Sequence, residues 1–323
     1  MKTSVPIKQG EKYTIDITGM GSNGEGIGRI AGFTVFVPYA LTNEKVEIII
    51  NTIKKNYAIG KLLNIIAASP QRIIPRCGLY YECGGCQLQH LSYETQLKVK
   101  QQQVIDAVER IGGQKNIPVH STLGAQNSWN YRNKMQFPIG KEKKQIIIGC
   151  FAQGSHKIID TKNCYIQKEL NNDIVNAVRD IVQKLSISVY DEDRHTGVLR
   201  HVVGRVGKNG DCMVVLVTAT KELRRSREFV TLLRQRLPKL VGVQQNVQTY
   251  RNNVIMGRDT NLLWGKPTIT DSLGTLSFHI SPRSFFQVNT DQAENLYQKA
   301  LEYADLSGKE TVIDAYCGTG TIT

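Results

Sequence analysis

Three cysteines within ten residues constrain this chain more than any other feature of its sequence. Cys77, Cys83 and Cys86 stand close together, and Gly84 and Gly85 separate the last two. Adjacent glycines let a backbone wrap closely around a small group. Four thiolates are a common donor set for zinc and for iron–sulfur clusters. The spacing leaves both metals open, and either one requires a fourth ligand from a distant part of the chain.

The other four of the seven cysteines are the candidates for that fourth ligand: Cys150, Cys164, Cys212 and Cys317. Cys164 lies among polar residues typical of a loop, which favours it. Cys150 follows an apolar run and Cys212 precedes one, so we expect both in buried strands. An odd number of cysteines, in a chain without a recognisable signal peptide, does not favour a disulfide framework.

Residues 1–66 favour a small β-barrel. Apolar and polar residues alternate through residues 13–17, as in a half-buried strand. Strand-like runs follow at residues 33–37, 45–50 and 57–63, and residues 19–28 form a glycine-dense turn. Several short strands with turn signals and no helix predict an OB-like barrel.

The rest of the chain is expected to be α/β, in three parts. The cysteine segment (residues 67–91) precedes a central α+β region at residues 92–285. That region begins with a helix at 92–112, which we expect to pack on the domain that begins at residue 286. Residues 199–220 predict a hairpin, and residues 222–237 predict a basic helix.

Residues 286–323 predict the start of a Rossmann-like domain. Asn289 or Thr290 can cap a helix through Ala304. Residues 311–315 predict a buried strand, and a glycine turn follows it. Strand, glycine turn and incipient helix open an α/β unit. We expect the domain to be incomplete in this chain, because parallel strands require crossover helices and neighbouring strands.

The charge balance favours a polyanionic partner. The chain has 41 Lys or Arg against 28 Asp or Glu, a net charge of +13. Twelve Lys or Arg and three Asp or Glu fall within residues 200–258, so nine of the thirteen net charges lie there. Basic surfaces bind nucleic acids by releasing counterions. No apolar run is long enough to span a bilayer, so we expect a cytoplasmic protein that does not bind membranes.

The glycine turn at residues 314–320 predicts a cofactor site. It reads Asp314-Ala-Tyr316-Cys-Gly318-Thr-Gly320, and glycines at a strand end let a ligand approach the backbone. A dinucleotide fingerprint would place Gly at 323, where Thr stands, and the Gly-Lys pair of a phosphate loop is absent. The arrangement resembles motif I of class I S-adenosylmethionine-dependent methyltransferases.

Residues 281–290, here named the aromatic segment, read SPRSFFQVNT. Phe285 and Phe286 beside Arg283 and Gln287 suit base stacking and hydrogen bonding in RNA recognition. The two phenylalanines are equally compatible with a hydrophobic core.

Taken together, these motifs resemble one family over the whole chain: the RNA (uracil-5-)-methyltransferases, in their TRAM-containing, iron–sulfur 23S rRNA branch. The resemblance rests on the glycine-rich N-terminal pattern, C-x5-C-G-G-C with a distant cysteine, residues 131–137 (YRNKMQF), SFFQVN and DAYCGTGT. It implies a TRAM barrel, S-adenosylmethionine as methyl donor and a monomeric, RNA-binding enzyme.

The resemblance also implies residue roles. A 4Fe-4S cluster, rather than zinc, would be held by Cys77, Cys83, Cys86 and Cys164. The methyl donor would be bound by Gln287, Tyr316, Asp314, Gly318 and Gly320. In this family a cysteine thiolate adds to uracil C6 and a carboxylate removes the C5 proton. Both groups are expected beyond Thr323, so the present chain alone is expected to be inactive.

Residues 200–258, together with Arg132 and Lys134, are predicted to bind RNA phosphates. Three alternatives stay open. One is a tRNA uracil-5-methyltransferase of the same superfamily, and another is a non-catalytic RNA-binding iron–sulfur or zinc protein. The third, a radical S-adenosylmethionine enzyme, is disfavoured because it requires C-x3-C-x2-C.

Overall fold

The computed structural model describes residues 5–322, which form two compact units. Unit 1 contains the described residues up to Tyr80 together with Cys86–Gly124, and unit 2 contains Tyr81–Gly85 and the residues from Ala125 onward. This division differs from the four predicted segments, because the cysteine segment is shared between the units. Thr323, the end of the predicted methyl-donor segment, lies outside the described residues.

Unit 1 begins with the predicted barrel. Its strands are β1 (Lys12–Met20), β2 (Gly26–Ile30), β3 (Phe33–Val37), β4 (Lys45–Ile53) and β5 (Tyr57–Ala67). They close in the order β1-β2-β3-β5-β4, antiparallel except for the β3–β5 pair. Alternate residues point inward, so Val35, Val46 and Ile48 are fully buried. The glycine-dense turn predicted at residues 19–28 is shorter in the structure, because β1 continues to Met20 and β2 begins at Gly26.

A buried ion pair ties the cysteine segment to the barrel within unit 1. Arg72 Nε and Nη2 donate to the two carboxylate oxygens of Glu44, at 2.6 and 2.8 Å. The same carboxylate accepts from the backbone N–H groups of Leu41 and Ser69, at 2.8 and 3.2 Å. Glu44 is 1 % exposed. All the acceptor capacity of this buried charge is therefore matched by donors.

The predicted first helix also belongs to unit 1. Helix α1 spans Tyr93–Asp106 and continues as a π-helical turn, Ala107–Ile111. It ends where Gly113 adopts φ +66°, as expected for a glycine after a helix. The Gln103 side chain donates to the carbonyl of Gly21 in the barrel, at 3.0 Å. The helix therefore contacts the barrel, and its packing on the domain that begins at residue 286 stays a prediction.

Unit 2 is built on a seven-stranded sheet. Its strands are β6 (Lys134–Glu142), β7 (Gln145–Phe151), β8 (Ile158–Asp160), β9 (Leu199–Val206), β10 (Cys212–Thr218), β11 (Leu240–Val247) and β12 (Asp259–Gly265). The order is β12-β11-β10-β9-β6-β7-β8, and within this sheet, as the structure describes it, only β10 and β11 pair in parallel. The predicted hairpin is the β9–β10 pair.

Two helices cover one face of this sheet: α2 (Glu169–Lys184) and α3 (Ser226–Arg236). Their apolar faces pack on inward residues such as Met135, Val202 and Val214. The predicted basic helix begins at Ser226 rather than at residue 222. Arg225 has φ +61°, a conformation that cannot lie inside a right-handed helix.

The last elements of unit 2 are a hairpin, β13 (Ile269–Leu273) and β14 (Leu276–Ile280), and helix α4 (Thr290–Ala304). Asn289 caps α4 as predicted, accepting from the backbone N–H of Gln292 at 3.1 Å. The predicted strand at 311–315 is wrong, and Ile313 is 85 % exposed. A strand requires a hydrogen-bonded neighbour, and no described segment pairs with these residues. None of the described helices is long and apolar enough to cross a membrane.

Candidate functional site

The aromatic segment is fixed in unit 2 by Asn133, the residue before β6. The Asn133 backbone N–H donates to the carbonyl of Val288 at 2.8 Å. Its side-chain Nδ2 donates to the carbonyl of Gln287 and to Oγ1 of Thr290, both at 2.9 Å. Asn133 is buried. Residues 131–137 were singled out from the sequence, yet nothing there indicated that Asn133 fixes the backbone of Gln287.

Arg205 of β9 holds the other end of the aromatic segment. Its Nη2 donates to the carbonyls of Pro282 and Ser284, and the side chain is 97 % buried. Burial lowers the pKa of this guanidinium to about 10, against a small opposing effect of Asp271. Arg205 was predicted from the sequence to be one of the phosphate-binding cations of residues 200–258. In the structure it binds the protein's own backbone.

The two predicted stacking residues have opposite environments. The Phe285 side chain is 72 % exposed, so its ring face is accessible to a base. Phe286 is 3 % exposed and packs against Met213, Ile269 and Ile280. The predicted RNA contact of Phe286 does not fit this burial, because its ring is packed inside the core.

The glycine turn (residues 314–320) lies beside the aromatic segment. Thr319 Oγ1 donates to the carbonyl of Phe285 at 3.4 Å. Within the turn, the backbone N–H of Tyr316 donates to Asp314 Oδ1 at 3.2 Å. Gly318 and Gly320 have φ +57° and +72°, which explains glycine at both positions. Tyr316 is 98 % exposed. The predicted cofactor residues thus come from two adjacent pieces of backbone.

Three cations form a cluster next to the aromatic segment, here named the cation cluster: Arg132, Lys134 and Arg205. Lys134 and Arg205 are direct partners across the β6–β9 pair, so their side chains share one face. Arg132 Nε donates to the carbonyl of Lys134 at 3.0 Å. Burial, followed by the charges of Arg205 and Arg132, lowers the pKa of Lys134 to about 8. Like charges directly opposite one another repel, so the cluster favours an anionic ligand.

The remaining cations of residues 200–258 do not form one solvated face. Arg200 is buried and donates to the carbonyls of Gln248 and Tyr250, at 2.9 and 2.8 Å. Several others are neutralised by ion pairs: Arg224–Glu222, Arg225–Glu228, Arg236–Asp180 and Lys208–Glu294. Arg234 stacks on the Trp264 ring. The exposed cations outside these contacts are Lys221, Arg227, Lys239, Arg251 and Arg258. The local charge excess overstated the phosphate-binding surface.

A pair of cysteines meets in unit 2. The Cys83 and Cys150 thiols are hydrogen-bonded, and this contact, together with the N–H of Gly85, lowers the pKa of Cys83 against the effect of burial. Cys150 was expected in the buried core. It is half-buried in β7, and its sulfur points to the Cys83 loop instead.

The other cysteines have distinct surroundings. The Cys164 N–H donates to Asn172 Oδ1 of α2 at 2.9 Å, and the Cys77 N–H donates to Gln89 Oε1 in unit 1 at 3.2 Å. Cys212 is buried as predicted, and burial raises its pKa to about 12. Among residues 5–322, no three His, Cys, Asp or Glu side chains are grouped as ligands for one metal ion.

The chain is similar in sequence to a known domain family and to bacterial RNA methyltransferases. Residues 6–63 match the TRAM domain family. An uncharacterized RNA methyltransferase of Clostridium tetani is 49 % identical over 324 residues, covering all of this chain and 70 % of the relative. One from Halalkalibacterium halodurans is 43 % identical with the same coverage, and one from Staphylococcus aureus is 44 % identical over 95 % of this chain and 68 % of the relative.

The fold is also found in a solved structure. The tRNA (uracil-54, C5)-methyltransferase of Pyrococcus abyssi, in complex with S-adenosyl-L-homocysteine, superposes with a TM-score of 0.73. It is 24 % identical, and the match covers 95 % of this chain and 69 % of that one. This likeness confirms the architecture of a TRAM-type barrel followed by an α/β region.

Proposed function

Because the chain belongs to the RNA methyltransferase family, we propose that the protein methylates C5 of a uridine in RNA, with 23S rRNA as the substrate. The main support is the junction of the aromatic segment with the glycine turn, through Thr319 and Phe285. It unites the predicted methyl-donor residues with an exposed aromatic ring and the cation cluster. An enzyme that methylates a base in RNA requires contacts to the methyl donor and contacts to the RNA.

The residues of the junction fit S-adenosylmethionine, which would supply an electrophilic methyl group. A Cβ added at Gly318 would lie 3.9 Å from the nearest heavy atom, the carbonyl oxygen of Tyr316. The space beside the Gly318 backbone is therefore open to a ligand. We propose that Asp314, Tyr316, Gly318 and Gly320 hold the methyl donor from one side. Gln287, whose backbone is fixed by Asn133, contacts it from the other.

The RNA side of the site follows from the same geometry. We propose that Phe285 stacks on an unpaired base, while Arg132 and Lys134 bind a backbone phosphate. A cysteine thiolate adds to uracil C6, which makes C5 nucleophilic. After C5 has taken up the methyl group, a base removes the C5 proton and the thiolate leaves. We propose that Cys317 is not this cysteine.

Cys317→Ser should leave the covalent step intact. Cys317 lies within the glycine turn, where its carbonyl accepts from the N–H of Gly320 at 2.8 Å, so we place it beside the methyl donor. RNA that carries 5-fluorouridine should trap the adduct, since fluorine cannot leave C5 as a proton. The whole protein bearing Cys317→Ser should give the same denaturation-resistant RNA complex as wild type. Loss of that complex would identify Cys317 as the nucleophile.

Asn133→Ala should weaken binding of S-adenosylhomocysteine about tenfold or more. The substitution leaves the partly buried Gln287 carbonyl and the buried Thr290 hydroxyl without this donor, at a cost of about 1–3 kcal/mol. Calorimetric titration measures the affinity, and we expect KM for the methyl donor to rise more than kcat falls. Asn261→Ala, an exposed asparagine on β12, is the matched control. A lower melting temperature with unchanged affinity would limit Asn133 to a structural role.

The 4Fe-4S cluster is kept as part of the proposal, on Cys77, Cys83, Cys86 and Cys164. The chemistry of the donors supports it, because none of the four cysteines is in a disulfide and all four are partly exposed. Thiolates are the usual ligands of such clusters.

The substrate is settled by supplying isotopically labelled S-adenosylmethionine to the whole protein with unmodified 23S rRNA or tRNA. Nucleoside mass spectrometry should find 5-methyluridine in 23S rRNA. Label in tRNA alone would favour the second candidate function, a tRNA uracil-5-methyltransferase. The activity named for the Pyrococcus abyssi enzyme supports this candidate. RNA binding without label would indicate a non-catalytic RNA-binding protein.

A further inference from the structure

We propose that peroxide oxidises Cys83 and Cys150 to a disulfide, and that this bond withholds Cys83 from a metal cluster. The first part stands on the contact between the two thiols. The second part rests on the proposed iron–sulfur site. Cys150 lies outside the proposed ligand set, so the pair is a separate modification site.

The backbone brings the two cysteines together. Cys83 forms an isolated antiparallel bridge with Ala152, and the N–H of Gly84 donates to the carbonyl of Phe151 at 2.9 Å. Cys150 precedes Ala152 by two residues, so its side chain emerges on the same side of the strand. The loop that contains Cys83 is therefore docked against the end of β7.

The sulfur atoms converge on one point. A Cβ added at Gly85 would lie 3.4 Å from Cys83 Sγ and 3.5 Å from Cys150 Sγ. The two thiols are in hydrogen-bond contact. A disulfide requires a sulfur–sulfur distance of about 2.05 Å, which side-chain rotation and a small shift of the glycine loop would supply. Both residues are partly exposed, which gives peroxide access.

The chemistry balances with peroxide as the oxidant. The thiolate of one cysteine attacks a peroxide oxygen, which gives a sulfenic acid and releases one water. The second thiol attacks the sulfenic sulfur and releases a second water. Two electrons and two protons thus pass from the thiols to peroxide, and the sulfur–sulfur bond forms. A dithiol reductant reverses the reaction by thiol–disulfide exchange.

A disulfide at this position has a direct consequence for metal loading. A sulfur engaged in a disulfide is no longer a thiolate ligand. Oxidised, cluster-free protein should therefore offer three of the four proposed ligands. Cys212 cannot replace Cys150 in this role, because it is buried within β10.

Mass spectrometry of the cluster-free whole protein after peroxide treatment tests the first part. We expect a cross-linked peptide that joins Cys83 to Cys150, two hydrogens lighter than the reduced pair. Because no Lys or Arg lies between Cys77 and Cys86, trypsin leaves three thiols in one peptide. Fragment ions, together with loss of the cross-link in Cys83→Ser, therefore identify which of the three thiols is joined to Cys150. Cys317→Ser should leave the yield unchanged. A free Cys150, or Cys83 joined to another cysteine, would overturn the proposal.

Iron uptake tests the second part. Oxidised wild-type protein, supplied with iron and sulfide, should bind at least tenfold less iron than Cys150→Ser treated identically. A dithiol reductant should restore uptake in wild type. Equal uptake by both oxidised proteins would overturn this part. If the cross-link forms and no variant binds iron even when reduced, the disulfide stands and the proposed cluster fails.

Discussion

Replacing Arg72 with methionine should destabilise unit 1 by about 3–5 kcal/mol, because it leaves the buried Glu44 carboxylate without its cation. Methionine retains much of the apolar bulk of arginine, so the main loss is charge and hydrogen bonding. Arg72 also donates to the carbonyl of Tyr39 at 2.7 Å, a third contact that disappears. The Arg72 side chain holds the cysteine segment to the barrel. We therefore expect the hydrogen-exchange protection of that segment to fall together with that of the barrel strands.

Hydrogen exchange followed by mass spectrometry measures this effect in the whole protein. Amides of β4 and β5 should lose more than a hundredfold in protection, since each 1.4 kcal/mol corresponds to a factor of about ten. Arg110→Met is the matched control in the same unit, since its ion pair with Asp106 at 3.4 Å is exposed. Exposed pairs contribute about 1 kcal/mol or less. Equal losses in both variants would contradict the assigned role of Arg72.

The same ion pair predicts acid sensitivity. Burial alone would raise the pKa of Glu44, but hydrogen bonds from Arg72, Leu41 and Ser69 outweigh it and lower the pKa below 4.5. A carboxylate with a lowered pKa stabilises the fold above its unfolded value, and this contribution is lost as the pH falls through the folded value. Barrel protection, corrected for intrinsic exchange, should therefore decrease below pH 4.5. Glu44→Gln should be less stable at neutral pH and lack this dependence.

Local patterns in the sequence were sufficient for much of the fold. Alternation through residues 13–17 predicted a barrel strand because one face of that strand is buried. Asn289 predicted the start of α4 because a side-chain oxygen there replaces a missing backbone acceptor. Residues 311–315 show the limit of such reasoning. Their apolar character suits a strand, but pairing depends on neighbours that local sequence does not specify.

The candidate site was harder to predict, because its decisive contacts join distant residues. Phe285 and Phe286 are indistinguishable in sequence, and only the core around Met213 decides which one is exposed. Arg200 and Arg205 contribute to a basic composition yet bind backbone carbonyls in the interior. Cys150 follows apolar residues, and the docking of a loop 67 residues earlier determines where its sulfur points. Tertiary packing, rather than local propensity, settles each of these cases.

RNA binding should weaken about tenfold between pH 7 and pH 9 through Lys134. In the free protein, burial and the charges of Arg205 and Arg132 lower its pKa to about 8. A bound phosphate favours the charged ammonium and raises that pKa. The favourable contact is therefore fully present at pH 7, and half of the free protein has lost it at pH 8. Above pH 8 binding requires uptake of a proton, which costs about 1.36 kcal/mol for each pH unit.

Two substitutions at this position separate charge from structure. Lys134→Arg keeps a positive charge at every pH tested, so its affinity should not change between pH 7 and pH 9. Lys134→Met should bind more weakly already at pH 7. Loss of one phosphate contact should also reduce the slope of log affinity against log salt by about 0.9. Fluorescence anisotropy with a labelled 23S rRNA fragment measures all three quantities.

Lys144→Met provides the control for net charge, because Lys144 is exposed in the turn that follows β6. It removes one positive charge from the same hairpin and should alter neither the pH dependence nor the salt slope. If Lys134→Arg retained the wild-type pH dependence, the titrating group would lie elsewhere. If Lys134→Met and Lys144→Met lost affinity equally, diffuse charge would account for RNA binding. A loss of affinity confined to Lys134→Met would mean that an RNA phosphate binds the cation cluster. There it would offset the repulsion between like charges that face one another.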